Sequence, residues 1–271
     1  MSAPPLTVAV QGIAFWASRL PGWEIARAVI RGSEAPPPTA AGRPAAALLA
    51  PTERRRAPDT VALALEVAQR ACEAAGESPQ NLPSVFASTH GDLAISDYMC
   101  STLVATPTLI SPIKFHNSVH NAAAGYWSIG AGSYAAYTAL SAFRYSFAAG
   151  LLEAAAQVAC DQRSVLYVAF DIEAKGALAG VAPSSGLLGV ALVLGLQSRP
   201  GMPRLRLQLD AAENAQATPA RSPAADVVAK NALAPCLPFF ESLASERGAG
   251  ADSVVLELSQ RTVLRIAFEA A

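Results

Sequence analysis

The segment Ser111–Gln157 limits what this chain can fold into more than any other. It opens with a proline turn and the doublet His116-Asn117 and His120-Asn121, keeps helical apolar spacing to Ile129, and breaks at Gly130-Ala131-Gly132. A short aromatic strand is predicted over Ser133–Thr138, after which Ala139–Gln157 returns to helical spacing with hardly a charge. A helix this apolar must be buried, so a strand, a sharp junction and a buried helix predict the centre of an α/β domain. The junction reads Thr138-Ala139-Leu140-Ser141. Such junctions are where α/β enzymes hold a nucleophile, because a helix N-terminus stabilises developing negative charge. This one contains no cysteine.

A chain of 271 residues, 52% hydrophobic and 15% charged, can bury a substantial core in one large or two small domains. Its net charge of −1 gives no bulk field to attract nucleic acid or anionic lipid, so nucleic-acid binding is disfavoured. Cys72, Cys100, Cys160 and Cys236 lie far apart without a CxxC and read as free thiols of a reducing compartment. The N-terminus lacks the basic region of a signal peptide, and no apolar run reaches the roughly 18 residues needed to span a bilayer. A cytoplasmic location without a transmembrane segment is expected.

Leu6–Phe15 reads as a strand, and the Pro/Gly/Ala stretch Gly32–Pro51 as a long irregular connection. From Asp59, a candidate N-cap, Val61, Leu65, Ala68 and Cys72 recur at helical spacing as far as Gly76. Ser84–Thr89 reads as a buried strand and Asp92–Val104 as a helix. Ser164–Phe170 and Leu187–Leu196 are apolar without alternation, as in strands covered on both faces, and are expected to pair as a hairpin. Beyond Pro200 the pattern thins to a strand at Leu205–Leu209, one helical stretch from Ala224 to Glu246, and a terminal pair, Ser253–Leu258 and Thr262–Phe268. Residues 1–199 and 200–271 are expected to be two parts of one core.

His116 and His120 share a helix face and are spaced to bind a metal with a third ligand, for which Asp92 is the acidic candidate. The alternative is that these His and Asn side chains fix a buried loop by hydrogen bonds. Since no Glu lies between them and no His follows His120, no metal or other cofactor is expected. No GxxxxGK or GxGxxG phosphate loop is present.

FHNSVHNAAAGYWSI (115–129), together with VFASTHGD (85–92) and RRRAP (54–58), resembles the β-ketoacyl synthase-like N-terminal domain family. This short branch of the thiolase-fold condensing enzymes is found beside full-length synthases in bacterial aryl polyene and related pigment pathways. The resemblance covers roughly residues 6–196. It implies an α/β thiolase-like fold with one complete half, β-α-β-α-α-β-α-β-β, and a strongly reduced second half in residues 200–271. In full members the junction reads Thr-Ala-Cys and two histidines come from the second half. Here Leu140 stands at the expected nucleophile position and no His follows His120.

The family's dimers join across the strand before the nucleophile. That implies an interface of His116, Asn117, His120, Asn121, Tyr134, Ala135, Ala136 and Tyr137, with Phe115, Trp127 and Tyr137 lining a partner's acyl pocket. Arg54, Arg55 and Arg56 read either as a solvated patch or as a docking site for an acidic acyl carrier protein. The resemblance therefore implies a subunit that is not catalytic alone, similar to a chain length factor, paired with a full-length β-ketoacyl-ACP synthase. Two other readings stay open: an acyltransferase or thioesterase using Ser141 or a cysteine with His116 or His120, and a purely structural assembly partner. In the first of these Ser141 or a cysteine is the nucleophile; otherwise Ser141 is a helix cap or packing residue.

Overall fold

The computed structural model describes residues 4–245 and 253–270. It is built on β1 (Leu6–Ala17), a long strand whose ten residues from Val8 to Ala17 are all buried. After the two-residue β2 (Leu20–Pro21) come α1 (Trp23–Ile30), the irregular stretch, α2 (Pro51–Arg56) and α3 (Asp59–Ala75). Then follow β3 (Ser84–Ala87), α4 (Leu93–Ala105), α5 (Pro112–Asn117), α6 (Ala122–Ala131), β4 (Tyr137–Leu140), α7 (Ser146–Asp161), β5 (Val165–Asp171) and β6 (Leu188–Gly195). The remainder is β7 (Arg204–Ala211), α8 (Ala224–Val228), α9 (Leu237–Ala244), β8 (Ser253–Glu257) and β9 (Thr262–Glu269).

All strands form one mixed sheet in the order β4-β3-β5-β6-β1-β7-β9-β8, with β2 beside β1. β4, β3 and β5 are parallel, and the remaining pairings are antiparallel, including the expected β5–β6 pair. Every residue of β5 and β6 is buried, because α7 covers one face and α3 and α6 the other. β7 alternates instead. Leu205 and Leu207 join the α7 side of the core while Arg206 faces solvent, since no helix among the described residues covers that face. β7, β9 and β8 thus extend the same sheet beyond β1, with α8 and α9 packed into the α7-side core.

The sheet coils so far that its two ends meet around α7. Phe147 and Leu151 of α7 pack in one cluster with Val85 and Tyr167 of the parallel arm and with Leu256 and Leu264 of the other. Arg144, just beyond β4 at one end, pairs with Glu257 of β8 at the other, 3.5 Å apart. Two glycines allow this packing. A Cβ on Gly12, at a bulge in β1, would lie 2.3 Å from the Ala71 carbonyl oxygen of α3, and one on Gly150 of α7 would lie 2.6 Å from the Tyr167 ring.

Four expectations need correcting. The strand predicted at Ser133–Thr138 is Tyr137–Leu140. Gly132 closes α6 in the left-handed region and Ser133 Oγ accepts from Ala135 N, so a turn occupies the first four residues. The helix expected from Ala139 begins at Ser146, because the strand and its exit turn take the intervening residues. The stretch from Ala224 is two helices, not one; its predicted last residue, Glu246, lies outside the described residues. Asn231 breaks it: its Nδ2 donates to the carbonyls of Asp171, Ser185 and Gly186 and its Oδ1 accepts from Leu233 N, local bonds that compete with a helix. Asp59 is also the first residue of α3, not its cap, and pairs with Arg43 at 2.9 Å.

Candidate functional site

The carboxyl ends of β4, β3 and β5 lie side by side, the place where open α/β sheets hold ligands. The loop leaving β3, Ser88–Asp92, is tied down from every neighbour. Asp171, the last residue of β5 and fully buried, accepts from Ser88 Oγ at 2.8 Å, Thr89 N at 2.9 Å and Thr89 Oγ1 at 2.6 Å. Burial pushes the Asp171 carboxyl above the usual carboxylate range, against the pull of those hydrogen bonds and of the nearby His90. His120 Nε2 meets the Ser88 carbonyl at 3.1 Å, and Ser141 Oγ donates to the Thr89 carbonyl at 2.7 Å. Ser141 and His120 therefore hold adjacent carbonyls of one loop. Each already has a backbone partner, so the base–nucleophile contact that acyl transfer needs is not made.

The junction between β4 and α7 has a residue under strain. Phe143 has φ 52°, a left-handed conformation that costs a non-glycine residue roughly 1 kcal/mol or more. Ser146 Oγ stabilises the turn by accepting from Ala142 N at 3.0 Å and donating to the Phe143 carbonyl at 2.6 Å. Leu140 ends the strand before this turn, half-buried against the core. Ser141 is an exposed turn residue five positions ahead of α7, so the reading of it as a helix cap is corrected.

Beside this junction, among the described residues, no strand pairs with the outer side of β4. Ser84 N donates to Ala136 O and Ser88 N to Leu140 O, so β4 turns those groups inward to β3. By the two-residue alternation of a strand, the N–H and C=O of Tyr137 and Ala139 point out over the free edge. The opposite edge is protected: Thr218 N donates to Val255 O and Thr218 Oγ1 accepts from Val255 N, both at 2.9 Å. Tyr134, fully exposed, precedes β4 in the chain, and Tyr137 OH accepts from Asn121 Nδ2 at 3.2 Å; Phe115 of α5 and Ile129 of α6 are 62% and 68% exposed.

The order strand, sharp junction, buried helix expected from the sequence is present, with β4 at the edge of a parallel β-α-β arm. The family model described as beta-ketoacyl synthase, N-terminal domain, matches residues 28–251. The chain belongs to this β-ketoacyl synthase family. No curated protein matches it in sequence. Among solved structures it is similar to a ketosynthase (ApeO) in complex with its chain length factor (ApeC) from Xenorhabdus doucetiae, with TM-score 0.70 and 22% identity over 97% of this chain and 99% of that one. The ishigamide ketosynthase/chain length factor gives TM-score 0.71 at 15% identity over 97% of this chain and 100% of that one. A type II polyketide synthase acyl-carrier protein in complex with its ketosynthase bound to the hexaketide (AntDE:AntF) gives 0.74 at 10%, over 98% and 100%. The fold is the thiolase-like ketosynthase fold.

Within this β-ketoacyl synthase fold the residues singled out from sequence separate. His116, Asn121, Tyr134, Ala136 and Tyr137 are exposed, and Ala135 is half-buried. Asn117 is buried, with Nδ2 donating to the Arg56 carbonyl at 3.3 Å, and fixes α5 to α2. His116 lies edge-on to Tyr126, centroids 5.7 Å apart, away from the Ser88 carbonyl that His120 holds. Trp127, read from sequence as a pocket-lining residue, is 1% exposed in the core beneath α3, because the helical face it shares with Ala123, Ala124 and Ala131 turns inward. The arginine run splits as well. Arg54 donates to the carbonyls of Ala47 and Leu49, Arg56 pairs with Glu53 at 3.5 Å, and only Arg55 and Arg56 are exposed. Among the described residues no group of three His, Cys, Asp or Glu side chains converges to hold a metal ion. No helix among them is long and apolar enough to cross a membrane.

Sequence reasoning missed Asp171 and its two hydroxyl partners. The available signal was a lone carboxylate closing the strand VLYVAFD, a charge where every preceding residue is apolar. Phe143 and Arg144 carried no signal, since their roles come from a backbone angle and from the meeting of the sheet's two ends.

Proposed function

We propose that this protein is a non-catalytic, chain-length-factor-like subunit that pairs with a full-length β-ketoacyl-ACP synthase and shapes the acyl pocket of the pair. The reaction of the pair is decarboxylative Claisen condensation on an acyl carrier protein, in aryl polyene-type polyketide or fatty acid biosynthesis. The observation that carries this reading is the β4 edge, unpaired among the described residues, with outward main-chain groups at Tyr137 and Ala139 and exposed aromatic side chains at Tyr134 and Tyr137. An unpaired edge beside a large apolar surface favours another chain. Residues 1–199 supply the ketosynthase-like half and residues 200–271 the reduced second half. In this reading Phe115 and Tyr137 reach the partner's pocket, and the exposed Arg55 and Arg56 meet an acidic carrier.

Two sequence facts support the non-catalytic part. Neither Leu140 nor the strained Phe143 is a nucleophile, and no histidine follows His120 to stabilise an enolate or oxyanion. The test is co-expression with the β-ketoacyl synthases of the source organism, followed by assay of malonyl decarboxylation and chain extension. Condensation is expected from the co-purified pair and not from this chain alone, even as Leu140→Cys or Phe143→Cys. Activity of the isolated wild-type chain, or an acyl-thioester probe labelling it at a single residue, would replace this reading with the acyltransferase one.

A further inference from the structure

Where the two ends of the sheet meet around α7 they leave a cavity of about 110 Å³. Its walls are mostly apolar, Phe147 and Ala148 from the first turn of α7, Val255 and Leu256 from β8, and Pro235, with Thr218 the one hydroxyl among them. At its mouth stand Arg144 and Glu257, paired through a single contact of 3.5 Å with both side chains about half exposed. An ion pair of that length and exposure contributes little and is easily exchanged. The guanidinium itself is held in place. Arg144 Nη2 donates to Tyr145 OH at 2.7 Å, and its carbon lies 4.8 Å from the centre of the Tyr145 ring. The left-handed turn at Phe143, one residue earlier, sets the direction in which Arg144 leaves the chain.

We propose that this cavity binds a short-chain aliphatic carboxylate. The alkyl tail fills the apolar chamber, and the carboxylate takes the place of Glu257 on Arg144, which presents its N–H groups in the fork that matches a carboxylate. Size fixes the tail: an apolar cavity of roughly 150 Å³ accommodates benzene, so this one takes an alkyl group of about four carbons. Charge fixes the head, because Arg144 already holds a carboxylate at this point and Glu257 has open solvent to turn into. The site is formed within one chain and does not depend on pairing through β4.

Titration of the full-length protein with pentanoate, followed by amide chemical shifts or calorimetry, tests the assignment, with octanoate, butylamine and butanol as comparison ligands. Pentanoate is expected to bind at least tenfold more tightly than each of the three. Arg144→Gln should weaken pentanoate at least tenfold. Glu257→Gln should strengthen it severalfold, since it removes both the competitor for Arg144 and a like charge. Ala148→Leu, a folded protein by circular dichroism, should abolish binding by filling the chamber. Equal binding of butylamine, equal binding of octanoate, unchanged affinity in Arg144→Gln, weaker binding in Glu257→Gln, or no saturable pentanoate signal in the wild type would each overturn the proposal.

Discussion

Replacing Ala139 by proline separates the fold of this chain from its use of the β4 edge. Ser84 N→Ala136 O and Ser88 N→Leu140 O direct the even-numbered residues of β4 to β3, which leaves the Ala139 N–H on the open side. Proline is tolerated in an edge strand when its missing N–H faces away from the sheet, so Ala139→Pro should cost the isolated chain no more than about 1 kcal/mol, a fall in Tm of roughly 2–4 °C. A strand docked on that edge loses a ladder hydrogen bond, about 1 kcal/mol, and meets the ring where its own backbone must lie. Together these should cost about 3 kcal/mol, which weakens the complex more than 100-fold. Thr138→Pro is the mirror case, removing an inward donor to β3, and should destabilise the chain itself. The assay pairs thermal denaturation of each variant with quantitative pull-down of the co-expressed synthase, using Arg55→Glu as a surface control. A folded Ala139→Pro protein that still binds its synthase within threefold of wild type would remove β4 from the interface and the proposed pairing with it.

Further outcomes follow from packing and burial. Gly12→Ala places a methyl against two backbone atoms of α3 that cannot yield separately, so it should destabilise by about 3 kcal/mol in urea titration. Gly125→Ala in α6, where nothing lies within 4 Å of the new methyl, should be neutral or stabilising by up to about 1 kcal/mol; a loss above that would refute the packing argument. Thiol titration at pH 8 should show Cys100 and Cys160 reacting fast. Cys72, pushed up to about 12 by burial, and the fully buried Cys236, raised by the same cause, should react only in denaturant. The folded-state pKa of Asp171 lies above its unfolded value, so its contribution to stability is complete below the ordinary Asp range near 4 and is lost as pH rises through the raised value. Asp171→Asn should accordingly gain stability relative to wild type as pH rises above about 4, and parallel pH profiles for the two proteins would contradict this sign.

Much of the framework was written locally. The unbroken apolar runs around Leu166 and Leu192 required strands covered on both faces, and the spacing of Val61, Leu65, Ala68 and Cys72 required a helix over them. The alternation of Leu205, Arg206 and Leu207 marked a strand with one wet face. The HNSVHN stretch placed the chain in its family before any coordinate. The aromatic strand escaped local reading, because β-propensity spreads over Ser133–Tyr137 while the cap at Gly132 and the register with β3 select Tyr137–Leu140. Trp127 and Phe115 look alike as a composition of aromatic residues, yet helix orientation buries one and exposes the other. The Ser88–Asp171 hydrogen bond, the Asn231 clasp and the Arg144–Glu257 pair join residues 83, 60 and 113 positions apart. Periodicity and propensity act over a turn or two of chain, whereas these contacts exist only because a coiled sheet brings the ends of distant strands together. The sequence determined which segments must be buried, and the tertiary structure decided which of their ends meet.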